Sequence, residues 1–249
     1  MRDGERAARQ YDAMGVAYGV GNEEGSTQFN AYYERPATIA LLGDVKGLRV
    51  LEAGCGPGVL TSWLADNGAA VTAMDVSPEM ARLARDRVGD RARIVVGDLS
   101  EPLTFATDAS VDLVVASLVL HYLADWAGPL AEFHRVLAAR GAVVFSTHHP
   151  AMDWQLHSPE DYFAVKQVTE AWTRDGESFD VTFWRRPLTA MTEAISGAGF
   201  VIDQLVEPPS AAELRQRDPK SHGKIRTRPR FLFFRLVKRS FTPNVQPVG

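Results

Sequence analysis

Short apolar runs alternate with helix-like segments through the middle of the chain. The runs are nearly continuous and rich in β-branched residues, which is typical of strands buried on both faces of a parallel sheet. The segments between them repeat apolar residues at every third or fourth position, as amphipathic helices do. This alternation predicts a doubly wound α/β sheet. The strands are predicted at residues 48–54, 69–75, 92–98, 111–117 and 141–147.

Three helices are predicted between these strands, over residues 59–68, 77–89 and 129–141. The second carries the clearest boundary signals, because Ser77 is followed by proline and the pattern stops at Gly89. A serine cap, a proline at the first helical position and a terminal glycine are typical of helix ends.

Two regions depart from the alternation. Residues 1–45 look helical and rich in aromatic residues before the first strand. Residues 148–186 contain no strand–helix unit and instead predict a hairpin around the sequence RDGES. Ligands of such sheets bind beyond the carboxyl ends of the strands, so an insertion after the fifth strand is placed to form a lid. We predict one domain over residues 1–249, divided into an N-terminal helical cap (1–45), a core (46–147), the lid (148–186) and a C-terminal part of the sheet (187–240).

The composition is that of a globular domain with a substantial core. Among the 249 residues, 45% are hydrophobic and 23% are charged. The apolar runs are far shorter than the roughly 20 residues that a membrane span needs. The charged amino terminus lacks the apolar stretch of a signal peptide. Cys55 is the single cysteine, which precludes an intrachain disulfide and leads us to expect a cytoplasmic protein without a membrane span.

Charge is unevenly distributed along the chain. The net charge is −4, yet residues 215–239 contain ten lysines and arginines against one acid, Asp218. Such a segment could steer an anionic partner such as a nucleic acid. It could equally be a solvated loop and edge strand whose basic residues discourage edge-to-edge pairing. The apolar strand within the segment, residues 231–238, disfavours a nucleic-acid surface.

A glycine-rich turn follows the first predicted strand. Gly54, Gly56 and Gly58 alternate there, and glycines let a backbone approach a ligand closely. The dinucleotide fingerprint places its third glycine one residue later, where this chain has Val59. Glu52 would also repel a pyrophosphate. The turn therefore favours a cationic or zwitterionic ligand over NAD or FAD.

The sequence LEAGCGPG resembles the first motif of the class I S-adenosylmethionine-dependent methyltransferases, in particular the small-molecule members, and the similarity extends over about residues 45–147. The resemblance implies a seven-stranded, mostly parallel sheet with a helical cap and a lid. It also implies S-adenosylmethionine as the methyl donor, with S-adenosylhomocysteine as product. Asp75 would hold the two ribose hydroxyls, Asp98 would accept from the adenine amino group, and Leu99 would cover the ring.

Taken singly, these residues have structural explanations. Asp75 precedes a helix start and Asp98 can cap a loop, while Cys55 has no adjacent base and is interpreted as a small turn residue rather than a nucleophile. Their joint occurrence at three successive strand ends favours the cofactor. The resemblance assigns the cofactor site to Tyr11, Tyr18, Glu52, Gly54, Cys55, Gly56, Gly58, Asp75, Val76, Met80, Gly97, Asp98, Leu99, Ser117 and Leu118.

Candidate general bases lie at the ends of the fourth and fifth strands. A sulfonium methyl is already activated, so the protein must align a nucleophile and remove a proton where the nucleophile carries one. His121, His148 and His149 are the candidate catalytic residues, although each could instead cap a helix or pack under the lid. No metal site is predicted. The predicted acceptor-binding residues, some of which could form the hairpin's own core, are Tyr32, Tyr33, His121, Tyr122, His149, Trp154, Tyr162, Trp172 and Trp184.

Three functions are compatible with this pattern. The favoured one is transfer of a methyl group to an oxygen, nitrogen or carbon atom of a small, partly apolar metabolite. The second is a tRNA or other nucleic-acid methyltransferase that uses residues 215–239. The third is a cofactor-binding protein without catalysis, which the intact glycine motif and both acids disfavour. The acceptor and the oligomeric state stay open.

Overall fold

The computed structural model describes residues 1–19, 29–157, 160–174, 176–209, 212–217 and 219–239. Nine strands are present in this part of the chain, of which seven form the main sheet and two form a separate hairpin. They are β1 (Arg49–Ala53), β2 (Ala70–Asp75), β3 (Ala92–Val96), β4 (Val111–Ser117), β5 (Leu137–His148), β6 (Lys166–Arg174), β7 (Glu177–Arg185), β8 (Phe200–Val206) and β9 (Phe231–Lys238).

The main sheet has the order β3-β2-β1-β4-β5-β9-β8. The first five strands are parallel, and β9 runs antiparallel between β5 and β8. The predicted doubly wound, mostly parallel sheet is therefore confirmed. Reversal of the strand order at β1 and β4 creates a crevice at their carboxyl ends, the position where such sheets bind ligands.

Helices pack on both faces of the sheet and at its carboxyl edge. A π-helical turn (Asn30–Glu34) leads directly into α2, and a 3₁₀ turn (Leu120–Tyr122) follows β4. The α-helices are α1 (Asp3–Gly19), α2 (Arg35–Leu42), α3 (Val59–Asp66), α4 (Pro78–Val88), α5 (Ala127–Val136), α6 (Pro150–His157), α7 (Leu188–Gly197), α8 (Ala212–Arg217) and α9 (Pro219–Ile225).

The start of α4 agrees with the sequence prediction, whereas the end of α5 does not. The Ser77 hydroxyl accepts a hydrogen bond from the backbone N–H of Met80, so it caps α4 as predicted. Helix α5, predicted to reach residue 141, ends at Val136. The next residues join β5, because Leu137 pairs with Val111 before the register shifts at a bulge. Pairing with β4 thus overrides the helical spacing of the apolar residues.

The core lies on both faces of the sheet. Leu51 and Ala53 of β1 face a cluster that includes Phe133 of α5, while Val50 faces the opposite cluster with Leu60 of α3. This alternation follows from the period of two along a strand. Burial on both faces fixes the strand register, and it thereby fixes which strand ends meet at the crevice.

The insertion after β5 consists of α6 and the antiparallel hairpin β6–β7. Val181 and Phe183 of β7 are fully buried and pack in one cluster with Ala7 and Met14 of α1 and with Tyr122. The lid and the cap therefore form one layer over the carboxyl edge of the sheet. No helix within the described ranges is long and apolar enough to cross a membrane.

Candidate functional site

A cleft of about 1090 Å³, which includes space open to solvent, lies at the carboxyl ends of β1 to β4 beneath helix α1. Twelve of the residues predicted for the cofactor line it together. They are Tyr11, Glu52, Gly54, Cys55, Gly56, Asp75, Val76, Gly97, Asp98, Leu99, Ser117 and Leu118. The strand ends therefore bring the predicted acids and the glycine turn into one site.

The three glycines of the turn have different surroundings, although all three have φ between +52° and +77°. A Cβ on Gly54 would lie 2.5 Å from a methyl of Val119, and a Cβ on Gly58 would lie 2.9 Å from the Cα of Ala84. Nothing lies within 4 Å of the Cβ position of Gly56. Gly58 therefore serves the contact between α3 and α4 and does not line the cleft, whereas Gly56 presents open backbone to it.

Asp75 links the glycine turn to the start of α4. Its carboxylate accepts hydrogen bonds from the backbone N–H of Gly56 at 2.8 Å and of Ser77 at 2.9 Å. Burial raises the pKa of Asp75 to about 6, although these hydrogen bonds act in the opposite direction. Each carboxylate oxygen retains a second lone pair, so the group can still accept from two hydroxyls of a ligand in the cleft.

Glu52 is a buried acid on the floor of the cleft. Its carboxylate accepts a hydrogen bond from the hydroxyl of Thr61 at 2.6 Å. Burial, followed by the nearby charges of Asp75 and Glu34, raises the pKa of Glu52 to about 8. A cation bound in the cleft would favour the ionised form of this carboxyl. The site therefore suits a positively charged ligand, as its sequence suggests.

Helix α1 closes the cleft with a face of small residues. Gly4, Ala7 and Tyr11 line the cleft at helical spacing. A Cβ on Gly4 would lie 1.9 Å from a carboxylate oxygen of Asp98, so a larger residue at this position would require the Asp98 side chain to move. Sequence reasoning missed Gly4 and Ala7, because a glycine in a charged amino-terminal segment gives no signal of a contact 94 residues away.

Asp12 holds α1 against the start of α4. Its carboxylate accepts hydrogen bonds from the hydroxyl of Ser77 at 2.5 Å and from the backbone N–H of Glu79 at 3.3 Å. Ser77 is therefore bonded to both Asp75 and Asp12. The cap is tied to the same short segment that orients the acid at the end of β2.

Glu34 is a second residue that sequence reasoning missed. Its carboxylate accepts hydrogen bonds from the hydroxyls of Thr38 at 2.7 Å, Ser117 at 2.8 Å and Ser146 at 2.6 Å. Only 3% of Glu34 is exposed, and it lines the cleft. The Oε1 atom of Glu34 accepts all three hydrogen bonds and thereby connects α2, β4 and β5. An acid in an irregular aromatic segment looks in sequence like a solvated charge.

The backbone is strained where β4 reaches the cleft. Leu118 has φ +49°, which is uncommon for a residue other than glycine. Its N–H donates a hydrogen bond to the Ser146 hydroxyl at 3.0 Å, and this contact holds the conformation in place. Such strain often accompanies functional sites. Ser117 and Leu118 both line the cleft as the resemblance implies.

The candidate bases His121 and His148 lie behind the cleft wall rather than in it. Their rings stack with centroids 4.0 Å apart, and the Nδ1 atom of each is buried without a hydrogen-bond partner among the described residues. Burial, with the charge of Arg186 in addition, lowers the pKa of His121 to about 3. The pKa of His148 is also lowered by burial. Both imidazoles are therefore neutral near pH 7.

His149 has a structural environment. Its Nδ1 accepts a hydrogen bond from the backbone N–H of Ala151 at 3.1 Å, so Nε2 carries the proton and donates to Glu207 at 2.6 Å. Both ring nitrogens are thus engaged at the start of α6. The arrangement anchors the lid, which was the alternative interpretation of this histidine.

The remaining predicted residues are spread around the site. The hydroxyls of Tyr11 and Tyr122 are hydrogen-bonded at 2.7 Å across the cleft wall, and Tyr33 packs against Phe231. Met80 is buried in α4, and the side chain of Tyr18 lies outside the described part of the chain. Burial raises the pKa of the Cys55 thiol.

The other predicted acceptor-binding aromatic residues lie away from the cleft. They are Tyr32 under Arg217, Tyr162 and Trp172 in the lid, Trp184 bonded to Asp3, and the half-exposed Trp154.

The described residues contain no group of three or more histidine, cysteine, aspartate or glutamate side chains that could hold a metal ion. What the arrangement offers a ligand is instead a set of strand-end carboxylates, open glycine backbone and an aromatic wall.

Residues 51–145 match the family model described as a methyltransferase domain. A malonyl-[acyl-carrier protein] O-methyltransferase of Pseudescherichia vulneris is 33% identical over 135 residues, which cover 53% of each chain. A demethylmenaquinone methyltransferase of Tropheryma whipplei is 33% identical over 147 residues, 57% of this chain and 59% of the relative. The chain spans about half the length of the first curated relatives that it matches.

Solved structures extend the similarity beyond the core. An S-adenosylmethionine-dependent methyltransferase from Mesorhizobium loti is 26% identical, with a TM-score of 0.66 and coverage of 84% of this chain and 99% of that chain. A structure from Listeria monocytogenes, also 26% identical, has a TM-score of 0.69 and covers 83% of this chain.

Proposed function

The chain belongs to the class I S-adenosylmethionine-dependent methyltransferases, and from that premise we propose that it transfers a methyl group to an oxygen, nitrogen or carbon atom of a small, partly apolar molecule. One observation carries the proposal: Glu52, Asp75 and Asp98 converge on a single cleft around the open backbone of Gly56. S-adenosylmethionine is the cofactor of this family.

The residues of the cleft fit this cofactor. Asp75 retains acceptor capacity for two adjacent hydroxyls, and Glu52 lies where a cationic group would be stabilised. Asp98 and Leu99 are positioned for an aromatic base, and Gly56 has no side chain to obstruct the approach. When bound, S-adenosylmethionine supplies an electrophilic methyl group on a sulfonium.

The chain itself excludes water and aligns the acceptor. The hydrogen bond between Tyr11 and Tyr122 joins the cap to the cleft wall, and Val181 and Phe183 of the hairpin pack in one buried cluster with Ala7 and Tyr122. Proximity and orientation supply a large part of the rate enhancement in such transfers. With its pKa lowered to about 3, His121 is a weak base, so alignment matters more here than proton removal.

The environment supports a small, partly apolar acceptor. Leu99, Tyr122 and Leu123 give the cleft an apolar lining, and Phe183 and Phe231 pack around His148 behind it. Relatives of similar identity are named for different acceptors, malonyl-[acyl-carrier protein] and demethylmenaquinone. A name among the relatives therefore does not select the acceptor of this chain.

The basic segment supports the small-molecule proposal over a nucleic-acid substrate. Arg235 pairs with Asp203 and donates to the backbone oxygen of Leu41, and Lys238 donates to that of Leu137. Both cations belong to β9, which lies between β5 and β8 and is not the edge strand that the sequence led us to expect. They are engaged within the sheet, which does not favour a continuous anion-binding surface.

The test is a transfer assay with methyl-labelled S-adenosylmethionine. Purified protein is incubated with a small-molecule cell extract or with tRNA, and label is followed into each fraction. We expect label in the small-molecule fraction, lost in Asp75→Ala and kept in Asp90→Ala, a matched change at an exposed aspartate. Label in tRNA alone, or no transfer to either, would contradict the proposal.

A further inference from the structure

Within the described ranges, the two strands of the lid hairpin pair only with each other. Strands β6 and β7 form a two-stranded sheet that is separate from the seven-stranded one. A two-stranded hairpin is at best marginally stable in water on its own. The order of β6 and β7 therefore depends on the surfaces against which they pack.

Helix α1 provides one of these surfaces. Val181 of β7 is fully buried and packs in one cluster with Ala7 and Met14 of α1. Phe183 belongs to the same cluster, but its ring also packs edge-on against that of His148 in β5, with the centroids 4.5 Å apart. The base of the hairpin is thus held in part by the main sheet, whereas Val181, nearer the hairpin turn, packs on α1.

Two hydrogen bonds join α1 to β7 beside this cluster. The indole N–H of Trp184 donates to the Asp3 carboxylate at 3.1 Å, and the side-chain amide of Gln10 donates to the backbone oxygen of Asp180 at 3.1 Å. Asp3 and Gln10 are about 10 Å apart along the helix, and Trp184 and Asp180 are about 13 Å apart along the strand. Helix α1 therefore lies antiparallel along β7 and is bonded to it at two separated points.

An adjacent face of α1 closes the cleft. Gly4, Ala7 and Tyr11 line the cleft, while none of the described residues of β6 and β7 does. Ala7 belongs to both faces, since it also packs in the cluster of Val181. Helix α1 therefore forms part of the cleft and part of the support of the hairpin at once.

We propose that binding of the cofactor in the cleft orders the lid hairpin through α1, with the hydrogen bonds Asp3–Trp184 and Gln10–Asp180 as the connection. This inference rests on the proposed function, because it takes the cleft to be the cofactor site. A ligand in the cleft adds contacts to the lining face of α1 and so favours the docked position of the helix. The docked helix in turn presents the surface and the hydrogen-bonding groups that β7 needs.

The coupling requires no change in covalent structure or in protonation. Displacement of α1 from the cleft also breaks its contacts with β7, so a ligand that opposes the first opposes the second. By linkage, a hairpin that holds α1 in place also favours retention of the cofactor. Couplings between two sites of a protein commonly change an equilibrium by about 5- to 150-fold. The lid side of the cleft is then best ordered when the methyl donor is present.

The test is hydrogen–deuterium exchange of the full chain with and without saturating S-adenosylhomocysteine, read by mass spectrometry. The described residues of the hairpin line no part of the cleft, so the ligand does not shield their amides directly. We expect exchange to slow in α1 and, by about fivefold or more, in β6 and β7. Helix α7, none of whose residues lines the cleft, should exchange at the same rate in both samples.

The connection is tested with the double variant Gln10→Ala/Trp184→Phe, which removes both N–H donors and changes no residue that lines the cleft. Trp154→Phe/Gln155→Ala, at exposed positions of α6, is the matched control. With ligand binding verified by calorimetry, the double variant should lose most of the slowing in β6 and β7 and keep it in α1, whereas the control behaves as wild type. Trp184→Phe alone, which retains an aromatic ring for packing, should lose part of the slowing.

The outcomes separate this inference from the proposed function. Binding of S-adenosylhomocysteine with unchanged exchange in the hairpin, or with equal slowing in α7, overturns the coupling and leaves the cofactor site intact. Full slowing in the double variant overturns the connection through Asp3 and Gln10, since Tyr122 also touches both the cleft and the hairpin cluster. Failure of the wild-type chain to bind S-adenosylhomocysteine or S-adenosylmethionine overturns the proposed function, and with it this inference.

Discussion

Gly58 at the start of α3 touches the backbone of Ala84 in α4: a Cβ on Gly58 would lie only 2.9 Å from the Cα of Ala84. Gly56, two residues earlier, has nothing within 4 Å of its Cβ position and faces the cleft. Both residues have positive φ, so an alanine strains the backbone at either site. The two glycines thus separate packing from ligand access within one motif.

We expect Gly58→Ala to destabilise the fold by roughly 2–4 kcal/mol, the sum of left-handed strain and overpacking. Gly56→Ala should cost only about 1 kcal/mol of stability but weaken S-adenosylmethionine binding by about tenfold or more. Denaturant unfolding and calorimetry measure the two effects. Equal losses of stability in both variants would show that the glycines do not have the separate roles assigned to them.

The cap helix is predicted to depend on Asp12. Asp12→Ala removes the acceptor for the Ser77 hydroxyl and the Glu79 N–H, so α1 should detach more often from α4. We expect faster proteolysis within α1 and a weaker affinity for S-adenosylmethionine, by about three- to tenfold. Asp90→Ala serves as the control. Unchanged proteolysis in Asp12→Ala would mean that α1 is held by its apolar face alone.

Glu34 is expected to stabilise the junction of α2, β4 and β5. Glu34→Ala leaves the hydroxyls of Thr38, Ser117 and Ser146 without their common acceptor and opens a cavity. A loss of roughly 2–4 kcal/mol in the free energy of unfolding should follow. Glu34→Gln, which retains an acceptor oxygen, should lose less. If both variants unfold at the wild-type denaturant concentration, the network contributes no net stability.

Glu52 gives the fold a pH dependence of defined sign. Its pKa is raised from 4.5 to about 8 in the folded state, so in this interval the folded chain holds a proton that the unfolded chain has released. Unfolding then releases a proton, and stability falls as the pH rises. Glu52→Gln removes the titrating group, and with it this fall of stability with pH, while retaining an acceptor for the Thr61 hydroxyl.

The variant should therefore gain stability relative to wild type by roughly 3–4 kcal/mol as the pH rises from about 5 to about 8. Unfolding curves of both proteins at the two pH values measure the difference. If the difference in free energy of unfolding between Glu52→Gln and wild type stays constant or shrinks with rising pH, the protonated state assigned to Glu52 is contradicted.

Much of the candidate cofactor site was predictable because its signals are local. Strand ends follow from apolar runs, and residues that end parallel strands meet at one edge of the sheet. Asp75, Asp98 and the glycine turn are therefore placed by sequence alone. Gly58 shows the limit of this reasoning, because the same motif position can serve a ligand or a neighbouring helix, and only the distance to Ala84 distinguishes them.

Contacts between distant segments were not predictable. The approach of Gly4 to Asp98 and the three hydrogen bonds of Glu34 depend on tertiary packing, which leaves no periodic pattern in the sequence. The histidines illustrate the same point, because only their positions at strand ends were evident from the sequence. Burial makes His121 neutral, and the contact of His149 with Glu207 joins residues 58 positions apart.

Calorimetric titration with S-adenosylmethionine tests the central claim most directly. The wild-type protein and the control Asp90→Ala should bind the cofactor at one site per chain. Asp75→Ala, which loses the acceptor for the ligand's hydroxyls and the hydrogen bonds to Gly56 and Ser77, should bind at least about a hundredfold more weakly. Equal affinity in wild type and Asp75→Ala, or no binding by either, would contradict the assignment of the cleft.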